Sequence, residues 1–445
     1  MNTQNFLGKT LLVLTVTSCT YSNNALEQAL QSAGNNRPEL EKVLEHYSLE
    51  PEKLKATHFL IENMPAHYSY SDSIGIRHYY DRALEILSQE QLTPEQQRDS
   101  LLHISKTQYA DISKSSIPDN QIIGSDYLIH SIDHAFESWK KYPWAKHLNF
   151  EEFLEWLLPY KMVEFQELDY WRDTLFTHFT DNLRAMIPDD VEYNTTLKTA
   201  ETIKNEVATE MNRYGLYTES GLPLLSARLL HRQTFGNIPD YALVGALALR
   251  SAGIPVVLDE TPVGARFEAA SRWFVVLSDR GTEEWSEWDL STNIGWGFFP
   301  YERGPKVFRN SYAINRERYL YKKRAKYIYP FELSKQDITD RYFRTSDIEI
   351  PIEKGLRLAD RYVYIASAVR DEKIWQIVDF GTLKHRRAHF KKMGREVLYK
   401  AFGYDGDELI PICKPFILHK NGEIEYINED TIHSEHLDIW KNNSL

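Results

Sequence analysis

The chain has 445 residues, of which 42% are hydrophobic, and a formal net charge of −12. This length and composition are sufficient for roughly two or three hydrophobic cores and exclude a largely disordered chain. The negative net charge argues against a nucleic-acid partner, because general nucleic-acid binders gain affinity mainly by neutralising phosphates.

The N-terminus has the layout of a signal peptide. Lys9 supplies one positive charge, a short apolar run follows, and small residues precede Cys19. The run is too short to span a bilayer as a helix. The segment Val16-Thr17-Ser18-Cys19 resembles the bacterial lipobox, in which the cysteine is diacylated and becomes the mature N-terminus.

This resemblance implies a signal peptide over 1–18 and a lipidated tether over 19–24 that attaches the protein to the membrane through Cys19. We therefore expect an exported protein of the bacterial cell envelope, with the outer membrane favoured. The alternative for the same segment is a short buried helix or a frayed terminus.

Residues 25–215 are predicted to be helical, because their apolar residues recur at spacings of three and four. Asn36 with Pro38 predicts one helix start, and capping boxes at 93–96 and 149–152 predict two more. An aromatic segment over 139–171 invites a carbohydrate-platform interpretation, but aromatic residues at helical spacing favour core packing.

His130 and His134 lie one helical turn apart and faintly echo the inverted zincin pattern H-x-x-E-H. A metal ion would need a third ligand, to which the sequence does not point. We therefore predict histidines at the surface or the edge of the core, and no metal site.

A buried helix is predicted after Gly236. Apolar residues from 242 to 249 surround it on nearly all sides, which is typical of a core helix. Gly253 suits the left-handed position after a helix C-terminus, and Pro255 prevents continuation. Three strands are predicted next, over 256–259, 272–277 and 284–290, with a turn at 279–281.

This region resembles the core of the transglutaminase-like, papain-related superfamily, and residues 149–171 look similar to the helical lead-in of lipoproteins of that superfamily from Bacteroides-type bacteria. The family's helix opens with Gly-x-Cys-x-Asp and closes with Leu-Arg-x-x-Gly-Ile-Pro, and its strands carry His-x-Trp and then Trp and Asp. The matching residues of this chain are Gly236, Asp240, Leu249, Arg250, Gly253, Ile254, Pro255, Trp273, Asp289 and either Trp285 or Trp288. The resemblance implies a helix followed by antiparallel strands, and a Cys-His-Asp triad.

Two members of that triad are missing. Ile238 occupies the position of the cysteine and Ser271 that of the histidine, while Asp289 matches the acid. No cysteine lies between Cys19 and Cys413, and no histidine lies between residues 231 and 385, so no shift of register restores the pair. Ile238 can be neither nucleophile nor base, and Ser271 is no general base near neutral pH. We predict a degenerate triad without catalytic residues.

The groove that remains is a candidate binding cleft, formed by Asp240, Trp273, Trp285, Trp288 and Asp289, with core packing of the tryptophans as the alternative. An acidic cluster is a second candidate, because it offers the two carboxylates of a glycosidase. Its members are Glu268, Glu283, Glu284, Glu287 and Asp289.

Two basic segments follow, at 316–327 and 384–392. For the first we predict a solvated connector. The second is either a plain surface loop, which we favour, or a contact for acidic glycans or lipid headgroups. From residue 346 onward, alternating β-branched residues predict strands, and Asn421-Gly422 predicts a hairpin. Cys413 is expected to be a small buried thiol.

The predicted fold is therefore α+β. A helical region over 25–215 precedes a transglutaminase-like core of a helix and an antiparallel sheet over 216–330. An all-β C-terminal domain of sandwich or jelly-roll character follows over 331–445.

The leading functional hypothesis is a noncatalytic, lipid-anchored envelope protein that binds or scaffolds a glycan, a peptide or a partner protein. The alternative is a carboxylate-dependent hydrolase of glycan or peptidoglycan that uses the same cleft. A third possibility is that the domain only holds its neighbours in place. The core contains no dinucleotide-binding fingerprint and no P-loop, so we predict no cofactor.

Overall fold

The computed structural model describes residues 24–112, 115–179, 195–211, 226–230, 238–263, 271–286, 303–369 and 374–428. The chain divides into two compact units. The first takes its described residues from 1–199, 219–234 and 247–255, and the second from 200–218, 235–246 and 256–445. The chain is a mixed α+β protein with an N-terminal helical region and a C-terminal antiparallel sheet, which confirms the predicted fold class.

The N-terminal region consists of helices and one small antiparallel pair of strands. The helices are α1 (24–32), α2 (Arg37–His46), α3 (Pro51–Asn63), α4 (Ser73–Leu87), α5 (Pro94–Thr107), α6 (Ser125–Lys141), α7 (Phe150–Trp156), α8 (Trp171–Phe179), α9 (Thr196–Met211) and α10 (Ala227–Leu230). The strands are β1 (Tyr68–Tyr70) and β2 (Ser116–Pro118). Among the described residues, no helix combines the length and the apolar character needed to cross a membrane.

Helix starts follow the predicted capping chemistry at two of three places. Thr93 with Gln96 and Asn149 with Glu152 form reciprocal capping boxes at α5 and α7. Each box satisfies backbone donors that the first helical turn leaves unpaired. Asn36 precedes α2 as predicted, but its side chain does not cap the helix. Its amide nitrogen donates instead to the carbonyls of Asn120 and Ile123, because tertiary acceptors are close by.

The predicted core helix is α11 (Ile238–Ser251). Its residues from Tyr241 to Ser251 are all buried, as the all-round apolar pattern predicts. The helix ends in a Schellman motif: the amide of Ile254 donates to the carbonyl of Leu249, and that of Gly253 to the carbonyl of Arg250. Gly253 has φ +81°, so the predicted left-handed C′ position is confirmed.

A five-stranded antiparallel sheet follows, in the order β5-β4-β3-β6-β7. Its strands are β3 (Val256–Thr261), β4 (Ser271–Leu277), β5 (Glu283–Ser286), β6 (Phe308–Asn310) and β7 (Lys335–Asp337). The predicted helix followed by antiparallel strands is thus present. The sheet also extends beyond the predicted limit at residue 330, because β7 pairs with β6. A short helix, α13 (Thr339–Tyr342), follows β7.

The basic segment at 316–327, predicted as a solvated connector, contains the helix α12 (Arg316–Arg324), which Asn315 caps. Tyr321 of this helix is buried, and its hydroxyl lies 3.1 Å from that of Tyr364. Aromatic rings surround this pair, including Phe331 and Phe380. The segment therefore packs onto the sheet through Tyr321 and the buried Arg318, while its other basic residues remain at the surface.

The C-terminal region is a single curled antiparallel sheet of eight strands, in the order β15-β14-β12-β9-β10-β11-β8, with β13 paired to β12. The strands are β8 (Thr345–Pro351), β9 (Tyr362–Val369), β10 (Ile374–Lys384), β11 (Arg387–Gly394), β12 (Val397–Tyr404), β13 (Leu409–Pro411), β14 (Phe416–Leu418) and β15 (Ile424–Tyr426). The predicted all-β character is confirmed, and so is the hairpin between β14 and β15.

The predicted sandwich or jelly-roll layering does not appear in the described part of this region. The ladder from β14 to β8 is continuous, and register shifts interrupt it between Ile377 and Asp379 and between Phe390 and Met393. Such bulges bend strands and increase their twist, so one sheet curls around its own core. Val363 and Ile365 face that core, and the alternate residues Tyr362 and Tyr364 pack in the aromatic cluster with Tyr321.

Candidate functional site

The two positions predicted from the resemblance to correspond to a cysteine and a histidine lie at the ends of two elements. Ile238 is the first residue of α11, and Ser271 is the first residue of β4, opposite Thr261 of β3. Ser271 is 6% exposed. The side chain of Ile238 lies outside the described part of the structure, as do Cys19, Trp288 and Asp289.

Two further residues of the predicted cleft are described in part or in full. Asp240 lies in the first turn of α11 and is half-buried. Burial, together with the nearby Asp240 charge, raises the pKa of Tyr241 to about 12. Trp285 belongs to β5, but its side chain is not among those described.

Trp273 is buried in the second unit, with 2% of its surface exposed. Its indole nitrogen donates to the hydroxyl of Tyr342 at 3.0 Å, and the two rings meet edge to face with centroids 5.4 Å apart. The interaction joins β4 to α13. The ring thus contributes to core packing, which was the alternative to a cleft floor.

Asp259 and Arg309 form a buried bidentate ion pair beside Trp273. Asp259 lies opposite both Trp273 and Arg309 in the ladder, so the three side chains share one face of the sheet. The two Arg309–Asp259 contacts measure 2.8 and 2.9 Å, and the Tyr342 hydroxyl donates to the same carboxylate at 2.7 Å. Asp259 is fully buried. Removing one partner of such a pair typically costs about 3–5 kcal/mol, because the other charge is left buried and alone.

Glu283 extends this pair into a network. Arg309 donates to both of its carboxylate oxygens, at 2.8 and 3.0 Å, and Arg341 forms a further contact. Burial alone would raise the pKa of Glu283, but hydrogen bonds from the two arginines lower it to about 2. Glu283 is therefore ionised at any pH at which the protein is expected to work.

A second network occupies the neighbouring positions of the same strands. Glu260 is paired with Arg272 at 3.0 Å and contacts Lys335, and Asn310 donates to it at 3.2 Å. Burial opposes ionisation, yet the charges of Lys335 and Arg272 hold the pKa of Glu260 well below its usual range. The burial of Glu260 is thus compensated by two cations and an amide.

These contacts bear on whether a described carboxyl group of the sheet could act as the general acid of a glycosidase. A glycosidase of the two-carboxylate kind needs one carboxyl group whose pKa is raised, so that it donates a proton near neutral pH. Asp259, Glu260 and Glu283 each accept from at least one arginine or lysine. Glu284 accepts from the hydroxyl of Thr282. Glu268 and Glu287 lie outside the described residues.

Most of this network was not predicted from the sequence. The predicted strand ended at Asp259, whereas β3 continues through Glu260 to Thr261. Two acidic residues inside a strand that starts with buried Val256, Val257 and Leu258 were the available signal, since buried carboxylates require partners. The partner itself was not predictable, because Arg309 is 50 residues away along the chain.

The two histidines that were considered as metal ligands lie beside one carboxylate of another helix. His130 lies 2.7 Å from Asp173, and His134 lies 3.9 Å from the same carboxylate. In the described part of the chain, no group of three or more side chains is arranged to hold a metal ion. Cys413 is buried, as predicted, and burial raises the pKa of its thiol to about 11.

No family model, curated protein or solved structure matches the chain.

Proposed function

We propose that this protein is a noncatalytic binding protein of the bacterial cell envelope, anchored through lipidated Cys19. A degenerate transglutaminase-like core supports the binding of a glycan, a peptide or a partner protein. The proposal draws on the sequence, where Ile238 and Ser271 replace the nucleophile and the base. The lipid anchor at Cys19 and the family resemblance are likewise inferred from the sequence, and both are part of the proposal.

The observation that carries the proposal is the Asp259–Arg309–Glu283 network. It ties the acids of β3 and β5 to cations and keeps Glu283 ionised, with a pKa of about 2. Such an arrangement supports a rigid scaffold, because paired and buried charges fix side-chain positions. It opposes the carboxylate hydrolase, which requires a protonated acid in the resting enzyme.

Turnover measurements test this proposal. Purified protein is incubated with a glutamine-containing peptide and a primary amine, and separately with peptidoglycan and soluble glycans. We expect no product above a buffer control in either assay. Wild-type turnover that survives Cys413→Ala but disappears in Asp289→Asn would establish a carboxylate enzyme and overturn the proposal.

A gain-of-function pair tests the degenerate core directly. Ile238→Cys with Ser271→His restores the residue types of the triad, and Ile238→Cys alone serves as the matched control. If the core retains the family's geometry, the double variant acquires thiol-dependent hydrolysis of the peptide amide and the single variant stays far less active. Equal inactivity of both folded variants would count against the transglutaminase-like assignment.

A further inference from the structure

A cavity of about 890 Å³ opens within the second unit. Its walls come from α12, from the end of β7 and from the hairpin of β10 and β11. The two basic segments of the sequence, which are about sixty residues apart, therefore line one space. Seven lysine or arginine side chains and three carboxylates line it. This is an excess of positive charge on a chain whose net charge is −12.

Two of the three carboxylates are neutralised at the base of the cavity. Asp337 and Asp379 both contact Lys306, whose side chain is fully buried. Arg318 lies 3.6 Å from Asp379 as well. These two anions and two cations form a closed set, so the base of the cavity carries no uncompensated charge.

The third carboxylate is also neutralised. Glu317 pairs with Lys391 at 2.7 Å, and Lys392 pairs with Asp340 at 2.9 Å. Both pairs are well exposed, and they leave none of the three lining acids available to the remaining cations.

Four cations of the lining remain. Arg316, Arg324 and Lys384 form no ion pair or hydrogen bond through their side chains with any residue the structure describes. The Arg361 guanidinium donates to the hydroxyl of the neighbouring Tyr362 at 3.2 Å and lies over its ring, and the charge of Asp360 acts on it. Four positive charges thus border one cavity, three of them without a counter-charge among the described residues, and they raise the local concentration of anions.

The chemistry of these groups selects the ligand. A guanidinium presents a planar fork of donors that matches phosphate and carboxylate groups in a bidentate manner. The volume lies in the range of small-molecule sites, and Leu320 and Leu383 add apolar wall between the charges. We propose that this cavity binds a small polyanion with two or more phosphate or carboxylate groups, held by Arg316, Arg324, Arg361 and Lys384.

The assignment rests on the proposed binding function and gives it a ligand class. A free phosphorylated or carboxylated molecule and the acidic sugars of a short glycan share this chemistry. Tripolyphosphate, citrate and an oligogalacturonate therefore serve as probes, each titrated calorimetrically into the full chain at physiological salt. We expect one saturable site for at least one probe and weaker binding at higher salt.

Matched variants of α12 distinguish binding in the cavity from long-range electrostatic attraction of the probe to the protein surface. Arg316→Gln with Arg324→Gln removes two lining charges, and we expect a loss of affinity of about tenfold or more. Lys322→Gln with Lys323→Gln removes the same charge from the same helix, but neither residue lines the cavity. We expect less than about a twofold change there, since only long-range attraction is reduced. Lys384→Gln, on β10, provides an independent test should the α12 variant fail to fold.

Two outcomes would overturn the proposal: equal losses in the two α12 variants, or no binding of any probe by the folded wild type, whether or not it binds vesicles of anionic phospholipid. Neither outcome bears on turnover, so failure of the cavity assignment and failure of the noncatalytic assignment are distinguishable. Conversely, turnover abolished by Asp289→Asn would leave the cavity assignment standing.

Discussion

Glu283 links the fold to pH at the scale of a single residue. Its pKa in the folded chain is about 2, below its ordinary value of 4.5, because Arg309 and Arg341 donate to it although it is partly buried. A carboxyl group with a depressed pKa stabilises the fold above its ordinary pKa. That contribution disappears as the pH falls from about 4.5 towards 2.

We therefore expect the free energy of unfolding to fall through this window, with Glu283 contributing about 1–2 kcal/mol after allowance for solvent screening. Glu283→Gln should lower stability at pH 7 and flatten the slope below pH 4.5. Urea unfolding at a series of pH values measures both effects. Glu284→Gln is the control, since Glu284 contacts Thr282 and no cation among the described residues. Equal slopes in wild type and Glu283→Gln would refute the coupling.

Single residues also show how far sequence reasoning reaches. The absence of a Cys-His pair is readable directly, because the chain has no cysteine between Cys19 and Cys413 and no histidine between His231 and His385. Whether Trp273 lies in a cleft or in the core cannot be predicted from the sequence, because a tryptophan on a strand is compatible with both. Its 2% exposure depends on Tyr342, which lies 69 residues further along the chain.

At the scale of an element, we predict the effect on stability of replacing Gly253. It ends α11 with φ +81°, a backbone conformation that L side chains rarely adopt. A Cβ at this position would lie 3.0 Å from the Cβ of Ser138 and 3.2 Å from the ring of Tyr142. Gly253→Ala should therefore destabilise the protein by about 1–3 kcal/mol, through backbone strain and crowding together.

Thermal unfolding followed by circular dichroism measures this change. Gly281→Ala is the control, because Gly281 also has positive φ, at +72°, but its added Cβ would meet nothing within 4 Å. We expect the control to show the strain without the crowding and hence a smaller loss. A Gly253→Ala protein as stable as wild type would show that the helix end adapts more freely than its packing indicates.

Elements were predictable where their signals are local. Capping boxes, the Schellman glycine and the hairpin turn at Gly422 depend on residues within a few positions of each other, so the sequence contains them in full. The pairing of β12 with β9 and of β8 with β11 joins residues about forty positions apart. Alternation shows that strands exist but not which edges meet, so a sandwich and a curled sheet have the same local pattern.

At the scale of the whole molecule, the two basic segments illustrate the same limit. Each looks like a solvated surface in isolation, and only the fold brings α12 to the β10–β11 hairpin. The cationic cavity therefore depends on the second unit as a whole. The expected loss of a Cys-His pair, in contrast, needed only the residue types, and the described structure adds the position of Ser271 and of the backbone of Ile238.

The proposed membrane anchor gives a prediction for the chain expressed from Met1. If Cys19 is acylated, protein expressed with its own N-terminus in a bacterial host should appear in the membrane fraction and incorporate an alkyne-labelled fatty acid. Cys19→Ser should lose both properties, because acyl chains supply the membrane affinity. Cys413→Ala is the matched control: Cys413 is the other cysteine of the chain, and its thiol is buried within the fold. We expect that variant to stay labelled and membrane-bound. Label retained by Cys19→Ser but lost from Cys413→Ala would place the modification on the wrong cysteine and remove the basis for an envelope anchor.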